Sequence, residues 1–362
     1  MTDPSASDPA HKLPTIYDVA RAAGVASSTV SRAFSRPGRV NFETAERIRK
    51  IAEELGYRAN PLARALPTGR TSMIALVISD VTNPFYNEII RGAQSAAAAA
   101  GYTMLLADAQ ESDRLEREAL ERALPTVEGI VLAGSRMSDS AIRVIAKQRP
   151  LIVLNRVLSD VPSVVTDNPR GMRRAVEHLV GLGHHTITYV AGPEASWADG
   201  VRWRSLKESS LLELEMNCRR IGPFRPTVAG GAEAAAEFSR HPTSAVIAYN
   251  DQLAIGLIRG LTASGVRVPQ DVSVIGFDNI FASELVTPPL TTVAAPLRTE
   301  GVTAVTNLLA MTHGAHPRTG EPTVLPVKLV VRSSTGPRVR STAAPTRGRV
   351  SAAGTAPRRP AE

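Results

Sequence analysis

The sequence predicts a mixed α/β protein: an all-helical head at the N-terminus, then a body of two α/β subdomains built on parallel sheets. Three observations carry this. Short apolar, β-branched runs recur at Met73–Ile78, Tyr102–Ala107, Gly129–Ala133, Leu151–Leu154, Thr186–Ala191, Ala245–Tyr249 and Val272–Phe277. Helix-length segments lie between them, among them Pro84–Ala100, Asp113–Leu124, Gly171–Leu182 and Asp251–Ala263. Continuous apolar strands separated by helices are the mark of parallel sheets covered on both faces, and these units are too many for one ordinary sheet. The third observation is that residues 15–66 show short helical stretches instead.

In that head, Thr15 precedes Ile16 and Asp18 in the pattern of a capping box, with Val19 and Ala20 continuing an apolar stripe. Gly24 suits the left-handed residue that ends a helix, and Val25 packs inward before a second helix begins at Ser27. Two short helices joined by a glycine turn make a helix-turn-helix, whose second helix enters the major groove of DNA. Its small polar residues Ser27, Ser28, Thr29, Ser31 and Arg32 can bond phosphates or base edges. Asn41 caps a third helix, Phe42–Leu55, whose Ala45, Ile48, Ile51, Ala52 and Leu55 face the head's core. Beyond Gly56, Asn60–Leu66 forms a short helical segment stopped by Pro67. Seven residues make a marginal helix alone, so this segment is expected to order on DNA.

Charge supports the same division. Residues 12–70 hold eleven Lys/Arg against five Asp/Glu, and residues 334–362 hold six against one. Residues 71–333 are close to neutral, with 25 basic and 26 acidic side chains. A basic module on a neutral body suits a phosphate contact by the module. A lone cysteine, Cys218, excludes an intramolecular disulfide framework and suits a reducing compartment. The first twelve residues offer no apolar core for a signal peptide, and Ala96–Ala100 is too short to span a membrane, so a cytoplasmic location is expected.

The runs TIYDVARAAGVASSTVSRAF and RVNFETAERIRKIAEELGYRANPLARAL resemble the head and hinge of the lactose-repressor (LacI/GalR) family. The likeness continues in order through SDVTNPFYNEIIRGAQ, EGIVLAG, GLGHHTITYVAGP, AVIAYNDQLAIGLIRGL, VPQDVSVIGFDN and PPLTTV, covering residues 15–333. It implies a transcription regulator, expected to be a repressor, that binds a near-palindromic DNA operator as a homodimer and answers to a sugar-like effector. The implied body is like a periplasmic binding protein, its subdomains joined by crossings near 166–169, 294–297 and 323–325. The implied division is a disordered N-terminus at 1–13, a helix-turn-helix domain at 14–59, a hinge at 60–70, the body at 71–333 and a disordered basic tail at 334–362. No metal or cofactor is expected.

By resemblance, Ser27, Ser28 and Arg32 read bases, while Thr15, Thr29, Ser31 and Asn41 match or neighbour phosphate-contacting positions. Ala63 and Leu66 match hinge residues that enter the minor groove, with Leu66 as the wedge that bends the duplex. Ala26 stands where many members carry Ser. The effector contacts implied are Asp80, Asn83, Phe85, Arg202, Asn250 and Asp278, a set of amides, carboxylates and one arginine around an aromatic face that suits hydroxyls. Phe85 also reads as core, and Asp251 and Asn279 as helix caps. Arg170 and Ala295 depart from sugar-binding members and point to an anionic effector or one unlike the usual hexose.

Three other classes fit less well. An enzyme would show a P-loop, GxSxG or HExxH signature, and the adjacent His184 and His185 do not share a helix face as a metal pair would. A transporter's binding protein would carry an export signal and no basic head. An architectural DNA-bending protein would not need so large a body. The lack of any leucine after Leu329 excludes a leucine-heptad coil, so a dimer is expected rather than a coil-linked tetramer.

Overall fold

The computed structural model describes residues 14–35, 37–57, 70–210, 216–315 and 320–338. The expected hinge helix with Ala63 and Leu66, the N-terminal 13 residues and the tail beyond residue 338 lie outside them.

The head is three helices, α1 (Ile16–Ala23), α2 (Ser27–Ser35) and α3 (Phe42–Glu54), with a 3-10 turn at Pro37–Arg39. Asp18 Oδ2 accepts from Thr15 N at 2.9 Å and from Thr15 Oγ1 at 2.7 Å, tying down the start of α1. Gly24 takes φ +62°, the left-handed turn a side chain would strain, and α2 leaves at a new angle. Val19, Ala20, Ala23, Val30, Ala33, Ala45, Ile48 and Ala52 bury between the helices. Leu55, expected in that core, is 41% exposed because α3 ends at Glu54 and the chain turns away through Gly56.

The body begins with β1 (Met73–Ile78), α4 (Phe85–Ala99), β2 (Thr103–Asp108), α5 (Asp113–Ala123), β3 (Gly129–Ala133), α6 (Asp139–Ala146), β4 (Leu151–Leu154) and β5 (Ser163–Thr166). It continues with α7 (Asn168–Gly181), β6 (Thr186–Val190), α8 (Trp197–Glu208), β7 (Asn217–Ile221), α9 (Val228–Phe238), β8 (Ala245–Ala248), α10 (Asp251–Ala263), β9 (Ser273–Asp278), the short α11 (Ala282–Leu285) and β10 (Thr291–Ala294). Last come α12 (Leu297–Thr312), β11 (Thr323–Leu325) and β12 (Lys328–Val330). Two six-stranded sheets result, ordered β11-β5-β4-β3-β1-β2 and β12-β10-β9-β8-β6-β7. All pairs are parallel except β10 with β12.

Both faces of each sheet are covered. In the first, Ile74, Leu76 and Ile78 pack with Ile89 and Leu308 while Ala75 and Val77 face Leu120 and Ile142. In the second, Val246 and Val274 pack with Leu253 and Leu257, and Ile187, Ile275 and Phe277 with Met172 and Leu206. Helices α9 and α10 cross backbone to backbone: a Cβ on Gly256 would stand 2.0 Å from the Val228 carbonyl oxygen.

The chain passes between sheets three times. The first two passages fall at 166–168 and 294–297. The third falls after Leu325, not within 323–325, because Thr323–Leu325 pairs in register with Val164–Thr166 of β5 before β12 joins the other sheet. The second lobe also continues past residue 333. Ser334 is fully buried, its Oγ accepting from Thr291 N at 2.8 Å and donating to Val274 O at 2.6 Å, and Arg338 N bonds Leu182 O at 2.9 Å. Residues 334–338 thus do not belong to the tail; hydroxyl and backbone bonds, not apolar periodicity, hold them.

Candidate nucleic-acid interface and ligand cleft

On α2, Ser28 and Arg32 are exposed and stand four residues apart, one turn above the other on a single helix face. Ser27 and Ser31 repeat that spacing and are half-buried, as is Thr29. The helix's other side carries Val30 and Ala33 into the core, so the packing that forms the head also fixes which face is free. Asn41 is exposed, and its Oδ1 accepts from Glu43 N at 2.9 Å as the cap of α3. Thr15 is half-buried at the start of α1.

In the body, residues just beyond strand ends converge between the lobes. Asn83, Phe85, Arg202, Asn250 and Asp278 line one inner cavity of about 40 Å³. Asp80 does not join them: its Oδ1 is held by Thr82 N and Oγ1 at 2.8 and 2.7 Å, and it borders a wider outer cleft of about 1090 Å³. Glu111, Arg136 and Pro226 border both spaces, so the outer cleft is the mouth of the inner cavity.

Arg202 is the centre of the site. Its Nε donates to Asn168 Oδ1 at 2.8 Å and its Nη1 to the Tyr249 carbonyl at 2.5 Å, while Nη2 meets Asp278 Oδ1 at 3.4 Å. The guanidinium lies 3.5 Å over the Phe277 ring. Asp278 ends β9 with φ +113°, and burial pushes its carboxyl well above the usual carboxylate range, with Arg202 pulling it back in part. Asp251, behind it, is raised to about 6 by burial, offset in part by bonds from Thr292 Oγ1, Ser283 Oγ and Ile280 N. Asn250, not Asp251, caps α10, accepting from Leu253 N at 2.9 Å, while Asn279 accepts from Arg332.

Sequence reasoning missed Tyr86, Arg136, Asn155, Arg156 and Tyr249, which also line the cavity, and left open the place of Trp197, which lines it too. Arg136 pairs with Glu111 at 2.6 Å, and Arg156 pairs with Asp139. Each arginine of the pocket therefore has its own carboxylate, and none is a bare cation. Arg170, which suggested an anionic effector, is exposed on the first turn of α7 and does not line the cavity. His184 is buried against Ser244 Oγ at 2.9 Å and Ser273 Oγ at 3.0 Å, a bonded strut between strand ends.

A free-faced helix on a three-helix head, joined to two parallel-sheet lobes around a cleft, defines a DNA-binding regulator with a periplasmic-binding-protein-like body. Residues 15–60 match the model of bacterial regulatory proteins of the lacI family, and residues 176–335 that of a periplasmic binding protein-like domain. The transcriptional regulator DegA of Bacillus subtilis is 34% identical over 89% of this chain and 98% of its own. The lac repressor dimer bound to operator and the anti-inducer ONPF superposes with a TM-score of 0.80 at 28% identity, covering 90% of this chain and all of that one. A LacI-family regulator of Enterococcus faecalis with bound ribose gives 0.66 at 31% identity, over 73% and 99% of the two chains. The chain belongs to the lacI family of bacterial transcription regulators.

Proposed function

We propose that the protein is a sequence-specific repressor whose grip on a near-palindromic operator is set by a sugar-like molecule bound between the two lobes. The observation that carries this is the pairing of one exposed polar face on α2 with a pocket lined from both lobes. Ser27, Ser28 and Arg32 read base edges, and Thr15, Thr29, Ser31 and Asn41 bind or border phosphates. Ala63 and Leu66 would enter the minor groove, Leu66 as the wedge. Asn83, Phe85, Asn250, Arg202 and Asp278 form the effector's seat, with Asp80 at its mouth. No catalytic role is assigned to any of them.

Pairwise balance of the pocket's charges favours a neutral, hydroxyl-rich ligand over an anion. Ribose in the Enterococcus faecalis relative and cellobiose in the complex of the transcriptional regulator CelR support the same class. A cavity of about 40 Å³ admits only water-sized guests, so seating a sugar there has to enlarge it by movement of lining side chains, of the lobes, or of both. Movement of the lobes is the link between ligand and head: two lobes of one chain, repeated in a homodimer, carry the two hinges that meet on the operator. Among the described residues no helix is long and apolar enough to cross a membrane.

Selection of duplexes from a random pool by the full-length protein tests the reading. A recovered palindrome with a central step, lost in Leu66→Ala, is the expected result. Failure to enrich any sequence, with and without ribose and cellobiose, would overturn it.

A further inference from the structure

Glu300 is out of place for its surroundings. It sits on the first turn of α12 with no exposed surface, and among the described residues no cation and no close hydrogen-bond donor meets its carboxyl oxygens. The one donor set against it is the amide of Asn155, itself buried and only loosely engaged. Asn155 follows β4 in the left-handed region, φ +59°, and lines the inner cavity. Buried polar groups in folded proteins find good partners almost without exception, so a fully buried acid with one loosely held amide for company beneath a ligand site calls for a function.

Its electrostatic neighbours come from the opposite lobe. Helix α12 packs on α4, β3, β4 and β5 of the first lobe, and those three strands carry no titratable side chain. On α4, Tyr86 is bonded to Ser79, while Glu88 and Arg91 lie on the solvent side, where Glu88 also meets Arg298 of α12. The charged groups that act on Glu300 are Asp278 and Arg202, with Asp251 acting in turn on Asp278. Burial first, and then the neighbouring Asp278 carboxylate, raise the Glu300 pKa to about 8, against smaller opposing effects from the Asn155 hydrogen bond and from Arg202.

We propose that Glu300 is a protonated positioning residue beneath the effector pocket, and that loss of its proton drives the two lobes apart. The inference rests on the reading of this cleft as the effector site. As a neutral acid Glu300 lets the Asp278–Arg202 pair approach the first lobe. Ionised, it sets a second carboxylate beside Asp278, while Arg202 is already engaged by Asn168, Tyr249 O and Asp278. The single Asn155 amide and a shared Arg202 relieve the new charge only in part, and the rest calls for water, which enters by opening the cleft. Effector response and pH are thereby coupled in one device.

Trp197 lines the cavity, and Trp203 is the only other tryptophan of the chain. In the full-length Trp203→Phe protein, without ligand or DNA, acrylamide quenching of Trp197 is followed from pH 6 to pH 9.5. The quenching constant should rise roughly twofold as local opening increases, with a midpoint near 8. Glu300→Gln should abolish the rise, and Cys218→Ser, removing the lone thiol as an alternative source of an alkaline transition, should leave it intact. Asp278→Asn should move the midpoint down, because Asp278 holds the Glu300 proton in place. A rise that survives Glu300→Gln, a flat profile in the parent, or a midpoint indifferent to Asp278→Asn would each overturn the proposal. Because neither DNA nor ligand takes part, such failure is separate from failure of the operator selection.

Discussion

Replacing Arg202 by methionine removes the side chain that ties α8 to the end of β9 and to the first turn of α7. Three acceptors lose their donor at once: Asn168 Oδ1, the Tyr249 carbonyl and Asp278 Oδ1. Both members of the Arg202–Asp278 pair are about 5% exposed, so water does not replace what is lost. Breaking a buried pair by removing one partner costs about 3–5 kcal/mol. Two features bound the loss. Asp278 can neutralise itself, since burial already pushes its pKa up, and a methionine refills the space over the Phe277 ring. The expected loss is therefore about 3 kcal/mol, read from urea unfolding followed by circular dichroism. Arg202→Lys should recover less than half of it, because one ammonium cannot reach three acceptors set around a planar fork. Adding Asp278→Asn to Arg202→Met should cost less than the sum of the two changes by roughly 1 kcal/mol or more, the signature of direct coupling. If Arg202→Met unfolds within about 0.5 kcal/mol of the parent, and the two changes simply add, the arginine is not the structural centre of the cleft.

Other consequences are as direct. The Glu300 carboxyl, ordinarily near 4.5, holds its proton to about pH 8 when folded, so the unfolded chain ionises first and stability falls as pH rises. Between pH 5 and pH 7 that is about 2–3 kcal/mol, a slope that Glu300→Gln should remove from urea midpoints taken at pH 5, 7 and 9. Gly256→Ala would put a methyl 2.0 Å from Val228 O and force α9 from α10, costing about 1–3 kcal/mol by calorimetry. Gly200→Ala, on an open face of α8, should instead add up to about 1 kcal/mol of stability. Arg32→Ala leaves the head folded, since the side chain is exposed, and weakens anisotropy-measured binding to the selected duplex about 10–100-fold with relaxed sequence preference.

Much of the body was legible because a strand buried on both faces writes itself as an unbroken apolar run. Met73–Ile78, Gly129–Ala133, Leu151–Leu154 and the helix Asp251–Ala263 form with the bounds their composition indicates. The strands not foreseen are short or solvated. Edge strand β7 is Asn-Cys-Arg-Arg-Ile and is half solvated, β5 and β10 are buried but only four residues long with threonine or serine at their ends, and β11 has three residues. Helix α8 shows no apolar stripe because its inner face is polar, burying Asp199, Arg202 and Ser205. A helix that carries a site on its buried side forfeits the periodicity by which helices are recognised. The end of the body was misjudged for the same reason: Ser334 is held by hydroxyl bonds that leave no hydrophobic mark.

The site divides along a related line. Asn83, Asn155, Arg136, Ser196, Asn250 and Asp278 line the pocket from just beyond the ends of β1, β4, β3, β6, β8 and β9. Parallel strands present all their carboxyl ends on one edge, so residues scattered over almost 200 positions meet in one place. Sequence locates strand ends one at a time, and a resemblance then singles out a few residues, as it did for Asp278 at the end of β9 and for Arg202 on α8. It offered nothing for Arg136 and Arg156, whose place depends on how the two sheets face each other. Glu300 is further removed, since it reaches the site from a helix start rather than a strand end. A single glutamate after Arg298 and Thr299 reads in sequence as a solvated position, and only its complete burial beneath the pocket reveals otherwise. Local pattern thus reports what stabilises each element, whereas the groups that cost stability are placed by the crossings between lobes, and those are the groups a ligand or a proton can act upon.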